Sequence, residues 1–252
     1  MAKIKKPLIF ALCILPIAFV AGIFSGIYQL DTFSDEVVAQ AIAQVGSKEI
    51  LVIVTGLQTA LYALVCGFVG YILADKMGLI KSFKITKKPL FMTLAVSVAG
   101  GIFFSLDHWI FGSFIDGIQS ANKASLTVSG VIASILYGGI IEEVLMRLFF
   151  MSLIAFVIWK LFARKYSKDN IPTAVFLLAN VIAALAFAAL HLPATVSIFG
   201  GLIPIIVFRC FLLNGSFAII FGELYRRYGI LYAMMSHAVF HIVSKLIWIV
   251  FI

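Results

Sequence analysis

Two adjacent carboxylates and a guanidinium stand inside one long apolar run. They are Glu142, Glu143 and Arg147, within Gly138-Gly139-Ile140-Ile141-Glu142-Glu143-Val144-Leu145-Met146-Arg147. At bilayer depth each such charge costs roughly 2.5–3.5 kcal/mol on insertion scales, so a segment needed only for thickness would carry Leu or Val instead. On a helix Glu143 and Arg147 share a face and can neutralise each other. Glu142 projects about 100° away and needs another partner. A carboxylate held in a water-poor pocket is a candidate general base. The histidines offer that partner. The chain has four, and three lie in its last quarter: His191, His237 and His241. His237 and His241 are four apart on the final apolar run, so both imidazoles face one way, a spacing that can hold a metal or a water. A lone histidine in a membrane helix more often packs than ligates. Three of them beside an unpaired Glu142 point to a shared site, because buried ionisable groups satisfy one another.

The elements that position these residues are read from composition. Of 252 residues 63% are hydrophobic and only 12% charged, with a mean hydropathy of +1.15. Soluble domains run nearer half apolar and a quarter charged, so the expected fold is all-α: a polytopic transmembrane bundle of about seven spans, with eight as the alternative count. The whole chain, 1–252, reads as a single integral-membrane domain. Its net charge of +8 resides in short gaps between apolar runs, where it sets topology and argues against nucleic acid as a partner. Cys13, Cys66 and Cys210 fall within apolar runs at no metal-like spacing and read as buried small hydrophobes.

In order, the spans are expected over about 7–30, 50–74, 89–106, 126–162, 172–191, 199–221 and 230 to the C-terminus. Gly22 and Gly26 make a GxxxG pair, which is either a close-approach surface or of no packing consequence. Residues 31–49 are polar and faintly amphipathic. His108 beside Trp109 reads as interfacial. Gly138-Gly139 is a candidate kink in the long central run. Pro193 should end or bend the fifth helix, and Pro204 interrupts the sixth. Glu223, Arg226 and Arg227 read as a short loop. Arg209 is expected to pair with a helix-end carbonyl, Lys245 to snorkel to the interface, and Asn180 to make an interhelical hydrogen bond. Lys3, Lys5 and Lys6, with the lysine-rich and arginine-rich gaps after spans two, four and six, put the N-terminus in the cytoplasm of a multi-pass cell-membrane protein.

At these residues the sequence resembles the CPBP family of intramembrane proteases, the CAAX-protease and bacteriocin-processing or Abi family. Its EExxxR motif reads here as Glu142-Glu143-x-x-x-Arg147 and its FxxxH as Phe187-x-x-x-His191. The last-helix HxxxN motif reads as His237-x-x-x-His241, with His241 where the prenyl-protein proteases usually have Asn. The stretch from Phe221 to Gly229 is similar to the family's approach to that motif. The resemblance covers 129–244, which would be the catalytic core.

It implies a hydrolase acting on peptide bonds of membrane-associated substrates, such as prenylated CAAX proteins or bacteriocin leaders, entering between helices from the bilayer. The catalytic set implied is Glu142, Glu143, His191, His237 and His241, with Glu142 as base and Glu143–Arg147 as the structural ion pair. One version is a metalloprotease with Zn²⁺ on His191, His237 and His241. The other is metal-free: His191 helps Glu142 polarise water, and His237 with His241 form the oxyanion hole. Counting along straight helices staggers His191 and His237 by about ten residues, roughly 15 Å. The competing functions are a non-catalytic scaffold or immunity protein and a proton-coupled transporter.

Overall fold

The computed structural model describes residues 2–82 and 84–252, and the described residues form helices joined by short turns. The side chain of Lys3, part of the basic N-terminus, lies outside the described set. Among the described residues, seven helices are long and apolar enough to cross a membrane: Ile4–Thr32, Lys48–Lys76, Lys87–Ser113, Val128–Phe162, Thr173–Phe199, Pro204–Tyr228 and Ile230–Phe251. They are numbered here as the first to seventh spans. The chain is a multi-pass membrane protein, and its span count matches the expectation from hydropathy.

The burial pattern is that of a protein dissolved in lipid. Leu57, Leu61, Phe91, Leu185 and Phe251 face outward, while Ala18, Ala21, Ala60, Ala63 and Ala179 are buried. Between helices in a bilayer there is no hydrophobic drive, so close packing of small residues and polar ties must hold them. At Gly22 the approach is tight: a Cβ there would stand 2.7 Å from the Thr55 carbonyl oxygen of the second span. The GxxxG pair is therefore a packing surface. The polar ties are specific. Ser97 and Ser236 hydroxyls meet at 2.9 Å, joining third and seventh spans. Ser152 and Tyr225 meet at 2.8 Å, joining fourth and sixth. Asn180 donates to the Ile219 carbonyl at 2.9 Å, the interhelical bond expected of it.

Pro193 acts as the sequence suggested, whereas Pro204 opens the sixth span that it was expected to interrupt. Pro172 is the N-cap of the fifth helix, which runs Thr173–Leu190, and Pro193 lies in the first turn of the next segment, Leu192–Phe199. Several local expectations differ from what is found. Glu223, Arg226 and Arg227 lie on the last turns of the helix Ser216–Tyr228, with both arginines paired to Glu223. Cys13 is exposed on the first span, where lipid is an acceptable surface for a thiol. His108 is buried, its ring edge-on to Trp109.

The fourth span departs most from a regular helix. Ser134–Ile141 and Val144–Met151 are π-helical, and Glu142 and Glu143 form the α-helical junction between them. Where the sequence suggested a kink at Gly138-Gly139, the backbone instead widens into i→i+5 turns, a form concentrated at functional sites. The glycines serve close approach: a Cβ on Gly139 would stand 2.8 Å from the Cα of Ala238 on the seventh span. That approach brings His237 and His241 against the carboxylates.

Candidate active site

The two glutamates divide between two histidines. Glu143 is fully buried, and its Oε1 accepts from Nδ1 of His237 at 2.9 Å while lying 3.1 Å from Nη1 of Arg147. Arg147 is buried too, its guanidinium 4.7 Å from the Phe187 ring centroid and 5.7 Å from that of Phe221. Desolvated cation–π contacts of this kind contribute about 2 kcal/mol. Its terminal nitrogens have no well-aligned hydrogen-bond acceptor, so charge, not a directed bond, holds it to Glu143. The ion pair read from the EExxxR spacing is present, and its carboxylate also orients a histidine.

His237 lies flat against Phe221, with centroids 4.4 Å apart, and against His241, with centroids 4.9 Å apart. With Nδ1–H committed to Glu143, its Nε2 is the nitrogen left for chemistry. Gly138 explains the space there. A Cβ on it would stand 2.8 Å from Nε2 of His241 and 3.9 Å from Nε2 of His237, so the bare glycine leaves a recess that both nitrogens border.

Glu142 takes the other histidine. Its Oε1 lies 3.9 Å from Nε2 of His191, too long for a hydrogen bond and of the order one shared water spans. His191 caps the fifth helix, and its Nδ1 donates to the Phe187 carbonyl at 2.7 Å. A carbonyl can only accept, so the neutral ring is protonated at Nδ1 and presents a bare Nε2 towards Glu142.

This division absorbs the stagger between His191 and His237. Each imidazole meets its own carboxylate, and Phe187, one turn before His191, stands beside His237 with ring centroids 6.4 Å apart. Glu142, His191, His237 and His241 all line one cavity of about 350 Å³. Among the described residues, no group of three or more His, Cys, Asp or Glu side chains could hold a metal ion, so His191, His237 and His241 are not gathered around a single point. The pairing of His237 with Glu143 and its stacking on His241 account for that geometry.

Comparison with protein families matches residues 123–243 to the model described as type II CAAX prenyl endopeptidase Rce1-like. Residues 123–243 are an Rce1-like domain of the CPBP family. No curated protein and no solved structure matches the chain. The Rce1-like domain thus includes every residue of the cluster, from Glu142 on the fourth span to His241 on the seventh.

The same cavity reaches groups that the motifs did not name. Arg209 holds Asp107 bidentately, both contacts at 2.6 Å, and Asn122 donates to the same carboxylate at 3.1 Å. Arg209 was expected on a helix-end carbonyl. The missed signal was Asp107, a carboxylate at the end of the third span that only folding brings near. Lys245 was expected to snorkel outward. It is instead buried, donating to the Ser125 hydroxyl at 2.6 Å with Nζ 4.9 Å from the Trp248 ring centroid. Its signal was available, since 237, 241 and 245 recur every four residues on one face.

Proposed function

We propose that this protein is an intramembrane endopeptidase of CAAX type, in which the carboxylate of Glu142 activates water. The observation that carries the reading is the 3.9 Å gap between Glu142 and the bare Nε2 of His191, opening on a cavity that two further imidazoles border. Water lying between them donates one hydrogen to each acceptor and presents its oxygen to a peptide carbonyl.

Glu142 takes a proton as the water oxygen bonds to the carbonyl carbon. The oxyanion formed is met by an Nε2–H donor from His241. His237, its Nδ1–H held by Glu143, borders the same recess with its Nε2. His241 has no partner on Nδ1 and is free to hold its proton on Nε2. Collapse of the tetrahedral species breaks the C–N bond, and the leaving amine takes the proton that Glu142 carried. Glu143 and Arg147 keep their charges throughout and act as positioning residues. No step in this scheme requires a metal ion.

The substrate proposed is a prenylated or otherwise lipid-held peptide, entering between helices from the bilayer. The basic gaps support an N-terminus on the cytoplasmic side. The test is cleavage of a farnesylated CAAX peptide by the purified protein in liposomes. Glu142→Gln, which keeps shape and hydrogen-bonding capacity, is expected to lower kcat by about 10³-fold or more with unchanged thermal unfolding. Equal cleavage by wild type and Glu142→Gln refutes the assignment.

A further inference from the structure

A second cavity, of about 220 Å³, opens at the end of the bundle that carries the basic gaps. Among the described residues, none lines both this cavity and the one beside Glu142. Its inner wall is Phe10 of the first span, Leu148 of the fourth and Tyr225 of the sixth, the last two fully buried. Leu148 belongs to the π-helical stretch Val144–Met151, so the cavity backs the segment that carries Arg147. The rim is Lys81, in the gap after the second span, with Tyr228 and Leu231 on either side of Gly229. Two ties hold that rim. Gly229 has φ +97°, and a Cβ on it would stand 3.1 Å from Cβ of Lys81, so the lysine stem lies against the bare glycine. The Tyr232 hydroxyl donates to the Lys84 carbonyl at 2.8 Å, anchoring the same gap.

The walls suit hydrocarbon. A cavity of about 150 Å³ lined by Leu, Ile and Phe stays dry and takes up benzene. Leu231 is 44% exposed, so the rim is open to lipid. The mouth, by contrast, is positive. Lys81 and Lys84 are exposed, and the ion pairs among the described residues include neither. The Lys81 ammonium donates to the Gly78 carbonyl at 2.8 Å, which leaves two of its three hydrogens for another acceptor. Nearby carboxylates do not supply it. Glu223 already meets both Arg226 and Arg227, and Asp75 is matched in charge by Lys76 beside it.

We infer that this cavity holds one acyl chain of an anionic phospholipid, whose phosphate is received by Lys81. A zwitterionic headgroup would bring its own ammonium among the lysines, so a net negative one is selected. A phospholipid is favoured over the lipid chain of a substrate, because the lining of this cavity is separate from that of the cavity beside Glu142. A chain seated here packs on Leu148 and braces the fourth span from behind.

The test uses full-length protein in detergent micelles with phosphatidylglycerol carrying a diazirine near the end of one acyl chain. Photolabelled residues are mapped by mass spectrometry. Labelling is expected on Phe10, Tyr71 or Leu231, above the level at the lipid-facing Leu57 and Leu61. Unlabelled phosphatidylglycerol is expected to compete about fivefold better than phosphatidylcholine of the same chains, the preference that one lysine near a membrane surface gives. Lys81→Gln should bring that ratio to about one, and Lys81→Arg should largely keep it. Leu231→Trp narrows the rim and should lower cavity labelling several-fold, with thermal unfolding checking that each variant is folded.

Labelling no denser in the cavity than at Leu57 and Leu61 would mean an annular lipid only, and overturns the inference. So does equal competition by the two lipids, or a preference that survives Lys81→Gln. A farnesylated peptide that competes better than phosphatidylglycerol would make the substrate's own lipid the occupant, with the same result. No readout here depends on peptide cleavage, so failure of this site and failure of the endopeptidase assignment are distinguishable.

Discussion

Substituting either glycine of the Gly138-Gly139 pair by alanine should separate stability from catalysis. A Cβ on Gly139 would lie 2.8 Å from Ala238 Cα and 2.9 Å from its backbone nitrogen, where ordinary contact begins at 3.4 Å. Backbone must therefore retreat by about 0.6 Å, and no side-chain rotation can relieve it. Overpacking of this kind costs typically 1–3 kcal/mol. It also moves the seventh span, and with it His237 and His241, away from the carboxylates. A misplacement near 1 Å in a catalytic geometry costs on the order of 10²-fold in rate.

Gly138→Ala differs, because its Cβ would meet Nε2 of His241 at 2.8 Å, the end of a side chain that can swing away. Its stability cost should be under about 1 kcal/mol, while the recess beside both Nε2 atoms is filled and kcat falls at least about 10²-fold. Thermal unfolding in detergent and peptide cleavage in liposomes read the two effects separately. A Gly139→Ala protein as stable and as active as wild type would refute the close-approach argument. A Gly138→Ala protein with wild-type kcat would refute the recess.

Arg147→Met leaves Glu143 buried without its guanidinium and should cost about 3–5 kcal/mol, read as a lower unfolding temperature. Arg147→Met with Glu143→Gln together should recover part of that loss without recovering cleavage. Asp107→Asn removes the charge that Arg209 holds in two 2.6 Å bonds and should destabilise by a similar amount, measured the same way. Chelation with a strong zinc ligand followed by metal analysis should leave cleavage of the farnesylated peptide unchanged. Loss on chelation with recovery on added Zn²⁺ would replace the glutamate–water scheme.

What the sequence made legible was what local pattern controls. Hydropathy runs located the seven spans, because a bilayer demands about 20 apolar residues wherever it is crossed. Pro193 marked a helix end, because proline acts on its own backbone, while Pro204, read as an interruption, opens the sixth span. The i,i+4 spacing gave the pairing of Glu143 with Arg147 and the shared face of His237 and His241. The rest depends on contacts distant in sequence. Asp107 and Arg209 are 102 positions apart, and neither has a neighbour that names the other. Lys245 was misjudged because snorkelling is a statement about lipid-facing lysines, and its face turns inward to Ser125. The π-turns around Glu142 left no mark in composition. They lie where the fourth span packs against the first, second, fifth, sixth and seventh spans.

The carboxylate of Glu143 and the imidazole of His237 are 94 positions apart, on the fourth and seventh spans. A chain inserting from its N-terminus therefore commits Glu143 and Arg147 to the membrane well before His237, or the Phe221 ring that faces Arg147, has been synthesised. Until then a charged pair borders lipid, and the half-built bundle is recognisable as incomplete. The pair that positions the His237 imidazole would thus also make closure of the fourth span wait for the seventh.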